Sequence, residues 1–170
     1  MPAFFPFRRA KLKLTAFTDY SLRVLIYLAT EPDRRATIAQ IAAAYSISEH
    51  HLVKVVHFLG QQAWLTNVRG KGGGMELALP PELIRLGDVV RATEGESAIA
   101  ECFGQGGGNC CLSPNCRLRG VLREAMAAFE AVLDRYTVAD LVSNRQELAQ
   151  VLFFEPAGVA KRAREAAHER

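Results

Sequence analysis

Apolar positions recur at helical spacing through most of the chain and at strand spacing in one short stretch. Leu14, Phe17, Leu22, Leu25, Ile26 and Leu28 mark a strongly apolar first helix that ends before Glu31-Pro32. Thr37 is placed to cap a short second helix whose apolar face is Ile38, Ile41, Ala42 and Tyr45. The connection Ser46-Ile47-Ser48-Glu49 is tight: Ser46 and Glu49 have capping-box spacing, and Ser48 is the alternative cap. A third helix is expected from about Glu49 to Gln62. Two short helices joined this closely predict a helix-turn-helix.

The third helix divides into two stripes at about 100° per residue. Leu52, Val56, Leu59 and Ala63 share the stripe expected to face the core. His50, Lys54, His57 and Gln61 share the opposite one, with His51 at the helix start. All five can hydrogen-bond base edges or phosphates, as a helix in the major groove must. An ordinary solvated face is the plain alternative. The next segment of the chain favours DNA. Trp64 to Arg69 reads as a short strand and Met75 to Leu79 as its partner, joined by Gly70-Lys71-Gly72-Gly73-Gly74. This is the pattern of a β-hairpin wing, with Arg69 and Lys71 able to reach phosphates or the minor groove. A nucleotide-phosphate loop fits poorly, because no GxxxxGK[ST] pattern is present and no helix directly follows the glycines.

Charge sharpens the division. Residues 1–79 hold ten Lys/Arg and five Asp/Glu, net +5; residues 80–170 hold eleven and thirteen, net −2, which together give the chain's +3. A basic half beside a slightly acidic half suits a DNA-binding part joined to a sensing or dimerising part. No apolar run approaches the roughly 18 residues needed to span a membrane, and no export signal is visible, so a cytoplasmic location is expected. No nucleophile–base constellation is visible either, and an enzyme is not expected.

All four cysteines fall within fifteen positions, as Cys102, Cys110, Cys111 and Cys116, around Gly104-Gln105-Gly106-Gly107-Gly108-Asn109. Clustered thiols in a glycine-rich loop point to metal or redox chemistry rather than to packing. Structural zinc would call for a second C-x2-4-C knuckle, whereas iron–sulfur clusters accept looser spacing. Adjacent Cys110 and Cys111 do not readily reach one centre together, so three ligands from four thiols are expected. A long helix follows from about Arg117. Leu118, Leu122, Ala125, Phe129, Val132 and Tyr136 form its seam of coiled-coil type, expected to pair two chains. Cys116 stands at the N-terminal end of that helix, where the dipole favours thiolate. Thr137 to Val142 begins a further short helix.

The fold expected is mainly α with a small β wing: a winged helix-turn-helix plus a long dimerisation helix. Its parts are a flexible extension (1–11), the DNA-binding domain (12–80), a connecting helix and cysteine loop (81–116), the dimerisation and C-terminal helices (117–155) and a charged tail (156–170).

From about Leu12 to Leu152 the chain resembles the bacterial iron–sulfur winged-helix regulators that include IscR and NsrR, and its nitric-oxide-sensing NsrR-type repressors most. The motifs are Leu14-Thr15-Ala16-Phe17-Thr18-Asp19-Tyr20, Val68 to Gly74, Gly87-Asp88-Val89-Val90-Arg91, Cys116-Arg117-Leu118 and Tyr136 to Val142. The resemblance implies three cysteine ligands, matched here by Cys102, Cys110 and Cys116, with Cys111 an alternative to Cys110. IscR uses a histidine three residues after the last cysteine; that position is Arg119 here. NsrR-like proteins take an aspartate from the partner subunit's first helix, the place of Asp19. The cofactor implied is a [4Fe-4S] cluster ahead of a [2Fe-2S] one. The function implied is a homodimeric repressor on palindromic operator DNA, released by nitric oxide. A zinc or disulfide thiol switch on the same scaffold is the alternative, and an iron–sulfur assembly or electron-transfer protein is the alternative of a different class.

Overall fold

Thr15 starts the first helix by accepting the Thr18 N–H at its side-chain oxygen, and α1 (Ala16–Thr30) runs from there to Glu31. The computed structural model describes residues 13–70, 72–95, 103 and 116–154. The extension before residue 13, Lys71, the tail after residue 154, and Cys102, Cys110 and Cys111 lie outside them. Helix α1 is the centre of the core: Val24, Leu25, Tyr27, Leu28 and Ala29 are buried. Around it pack Ile41 and Ala42 of α2 (Ile38–Tyr45) and Leu52, Val55, Val56 and Leu59 of α3 (Glu49–Gln61).

Thr37 caps α2 as expected, and Gln40 completes a capping box. The turn differs from expectation. Ser46 does not open α3; it closes α2 in the left-handed conformation at φ 53°, and Ser48 holds the α3 N-cap position. Ala63 is a second correction. It is exposed, beyond the helix end at φ 57°, so the fourth buried position on α3 is Val55.

Strands β1 (Leu65–Val68) and β2 (Gly74–Leu77) pair antiparallel, with Leu65 opposite Leu77 and Val68 opposite Gly74. They are shorter than the spans 64–69 and 75–79: the hairpin turn takes up Arg69 to Gly73, and beyond Leu65 and Leu77 one further bond, from the Ala78 N–H to the Trp64 carbonyl, continues the register. Ala36 adds an unexpected isolated bridge: it exchanges backbone hydrogen bonds of 3.0 and 2.8 Å with Met75 and ties the wing to the start of α2. At Gly73 the backbone itself demands glycine, since an added Cβ would stand 2.5 Å from the Val68 carbonyl oxygen and 2.8 Å from that of Gly70. Gly73→Ala should therefore destabilise the fold by about 1–3 kcal/mol through strain in the turn. Gly60→Ala, in open space inside α3, should stabilise it by about 0.5–1 kcal/mol. Chemical denaturation of both variants checks the contrast; equal effects would show that the turn relaxes freely.

After a 3-10 turn at Pro81–Leu83 the chain forms α4 (Leu86–Glu94), which buries Leu86, Val89 and Val90. Helix α5 (Arg117–Leu133) leads back to α6 (Val138–Leu141), α7 (Arg145–Ala149) and a last π-helical turn at Gln150–Phe154. This return closes the core beside α4. The Val138 N–H bonds the Ile84 carbonyl, the Leu86 N–H bonds that of Tyr136, and Phe153 meets Tyr27 edge-on at 4.9 Å. Arg91 bridges Asp88 and Asp134 at 2.8 and 2.7 Å, fastening α4 to the end of α5. Its guanidinium holds the Asp134 carboxyl below the usual carboxylate range.

Helix α5 departs from this pattern. It is 17 residues long, and none of them is buried. Leu118 and Val121 are 62% and 61% exposed, Val132 and Tyr136 are exposed, and Leu122 and Phe129 are half-covered. Tyr136 lies past the helix end. Most of the seam expected from Leu118 to Tyr136 thus faces outward from its own chain.

Candidate nucleic-acid interface and metal centre

The outward stripe of α3 is built as the spacing predicts. With Leu52, Val55, Val56 and Leu59 anchored in the core, His50, His51, Lys54, His57 and Gln61 are all exposed. His51 stacks on Tyr20 of α1, ring centroids 6.2 Å apart, which steadies the start of the helix. Phe58 meets Phe17 edge-on at 5.2 Å and holds the middle of α3 against α1. Arg69 is exposed at the root of the hairpin turn. A donor-rich helix face beside a wing with a basic root is suited to a major groove and its flanking phosphates. Val53, also exposed on α3, was not among the residues expected there.

Of the thiols expected as ligands, the structure describes Cys116, which occupies the N-cap position of α5 and is half-buried. Cys102, Cys110 and Cys111 fall outside the described residues, and among those described no group of three potential ligand side chains is assembled. A neighbouring arginine bears on what the thiols hold. Arg119, one turn into α5, buries its Nε–H with no hydrogen-bond partner among the described residues, while its guanidinium lies 5.9 Å from the ring centre of Phe103. A buried unpaired donor is costly. Beside Cys116 it suits an anionic, thiolate-held group such as an iron–sulfur cluster, and soft thiolates are the donors such a cluster takes.

Asp19 stands in the first turn of α1, its side chain 46% exposed. Its carboxylate is held by Arg23 four residues on, at 2.8 Å and through an Nε–H bond of 3.1 Å, and Arg23 in turn lies over the Tyr45 ring. The helix start carrying Asp19 is pinned from behind. The Thr15 N–H and hydroxyl reach one Glu94 carboxylate oxygen at 2.8 and 3.1 Å, and the buried Thr18 hydroxyl lies against that oxygen and the Thr93 hydroxyl. Glu94 closes α4, just before the cysteine-bearing stretch. These contacts therefore tie the beginning of α1 to the end of α4. Sequence reasoning missed this knot, because its partners are 75 to 79 positions apart and lie on no common period.

Residues 14–144 match the Rrf2 family, described as iron-dependent transcriptional regulators. The chain is 50% identical over 142 residues to the HTH-type transcriptional regulator NsrR of Bacillus subtilis (strain 168), covering 83% of this chain and 97% of that one. It is 47% identical to NsrR of Geobacillus kaustophilus (strain HTA426) over the same shares. Among solved structures it is similar to CymR, the global cysteine regulator of B. subtilis, with a TM-score of 0.61, 28% identity and coverage of 78% and 98%. The fold is shared with T. potens IscR at a TM-score of 0.66 and 24% identity, covering 81% and 91%.

Proposed function

Because this chain belongs to the Rrf2 family of iron-dependent transcriptional regulators, we propose that it is a homodimeric repressor that grips palindromic operator DNA and releases it when nitric oxide reacts with a bound iron–sulfur cluster. It is a transcriptional regulator rather than an enzyme. The observation that carries the finer reading is its 50% identity with an NsrR over nearly that protein's whole length.

The division of labour follows from the residues. Residues 12–80 read DNA. His50, His51, Lys54, His57 and Gln61 enter the major groove, while Arg69 and Lys71 hold the backbone from the wing. Residues 117–155 pair the protomers, and 81–116 carry the thiols. Cys102, Cys110 and Cys116 hold the cluster, [4Fe-4S] ahead of [2Fe-2S], and Asp19 of the second protomer completes the set, which requires its carboxylate to leave Arg23. When bound, the cluster supplies iron that is reactive toward nitric oxide. Asp19, a hard oxygen donor, is the ligand most readily exchanged. Through the Thr15–Glu94 contacts, a shift at Asp19 is felt at both the start of α1 and the end of α4.

Visible absorption of anaerobically purified full-length protein tests the cofactor. Charge-transfer bands in the iron–sulfur region are expected, and a colourless zinc-loaded or disulfide-bonded protein would favour a thiol switch instead. Asp19→Ala tests the link: the variant should still take up a cluster while losing the difference in operator affinity between untreated and nitric-oxide-treated protein. If Asp19 only pairs with Arg23, the substitution will change stability slightly, as expected for a partly exposed ion pair, and leave that difference intact.

A further inference from the structure

Val53 is the one large apolar side chain of α3 that stands open to solvent, 51% exposed, and no packing among the described residues uses it. At about 100° per residue it lies about 60° from His50 and about 40° from His57, at the margin of the polar stripe rather than among the buried residues. A β-branched residue is a slightly poor choice at an exposed helical position, where a straight-chain or alanine side chain serves better. His50 and His57, both able to donate hydrogen bonds, lie one turn to either side of it on the open face, Lys54 follows directly, and the one carboxylate nearby on α3 is Glu49, one turn before it. Such surroundings match the edge of a base pair flanked by phosphates and do not match an apolar protein partner. In the major groove the apolar feature a base presents is the C5-methyl group of thymine.

We propose that Val53 is a specificity residue that packs on a thymine methyl group in each half of the operator. The inference rests on the reading of α3 as the helix that enters the major groove. It adds a contact to the hydrogen-bonding side chains. They distinguish bases by donor and acceptor pattern, whereas Val53 distinguishes thymine from any base lacking a methyl at that position.

The protein itself can select the DNA for the test. A duplex captured by the anaerobically purified full-length protein from a pool with a randomised core serves as the probe. Each thymine is then replaced by uracil, which removes the methyl and leaves every hydrogen-bonding group. Wild-type protein should lose about four-fold in affinity at one symmetry-related thymine position per half-site, the size expected for one buried methyl group. Val53→Ala should bind the thymine and uracil duplexes alike. The alanine variant should fold as the wild type does, since the side chain is exposed. A wild type indifferent to every replacement, or a Val53→Ala protein that keeps the four-fold preference, overturns the assignment while leaving DNA binding in place. Failure to select any duplex overturns the reading of α3 as a DNA-binding helix, and this inference with it.

Discussion

Leu122→Glu should dissociate the protein into monomers and abolish operator binding in the same step. Helix α5 presents Leu118, Val121, Val132 and Tyr136 to the outside and buries none of its 17 residues within its own chain. A helix of that length and pattern is stable when its apolar stripe is covered. Leu122 sits half-covered within the stripe, so a carboxylate there would be desolvated on pairing. Two-fold symmetry imposes the cost twice. At about 3 kcal/mol for each carboxylate, the dissociation constant of the dimer rises roughly 20,000-fold. Operator binding falls with it, because two reading heads at fixed spacing are what a palindrome selects. Sedimentation velocity with a parallel gel shift decides the matter, and circular dichroism verifies that α5 still forms. A variant that stays dimeric would show that the stripe is covered from within the chain.

The second large effect concerns the thiols. Cys102→Ala, Cys110→Ala and Cys116→Ala should each yield protein without a cluster, whereas Cys111→Ala should keep it. Cys116 has structural as well as chemical support: it sits at the N-cap position of α5, one turn from the Arg119 Nε–H, which has no partner among the described residues. Cys110 over Cys111 rests on the resemblance to NsrR-type repressors, whose x5 spacing Cys110 keeps to Cys116. Iron and sulfide analysis with visible spectra of the four variants gives the answer. A colourless Cys111→Ala protein beside a coloured Cys110→Ala protein would reverse that choice.

The helices were legible because each carries a strong local signal. Thr37 and Cys116 mark helix starts, and the Leu52, Val56, Leu59 stripe orients α3 so that its polar face could be named residue by residue. Errors arose where local signals compete. Ser46 and Ser48 both suit a cap, and only the sharp left-handed turn that Ser46 makes at the end of α2 leaves the cap position to Ser48. Ala63 continues the helical period but falls after Gln62 has ended the helix. Long-range features gave no periodic signal: the Ala36–Met75 bridge, the packing of Phe153 on Tyr27, and the Glu94 knot that holds the start of α1. The buried Arg119 donor, without a partner among the described residues, was equally hidden, because burial of a single nitrogen depends on neighbours the spacing does not name.

The most direct test of the central claim follows operator binding and visible absorbance together while nitric oxide is titrated into anaerobic, full-length protein bound to fluorescently labelled duplex. Anisotropy should fall as the iron–sulfur absorbance is lost, with the two curves superimposing, and the Asp19→Ala protein should show the absorbance change without the matching release. Anisotropy that stays constant while wild-type absorbance disappears would contradict control of DNA binding by the cluster.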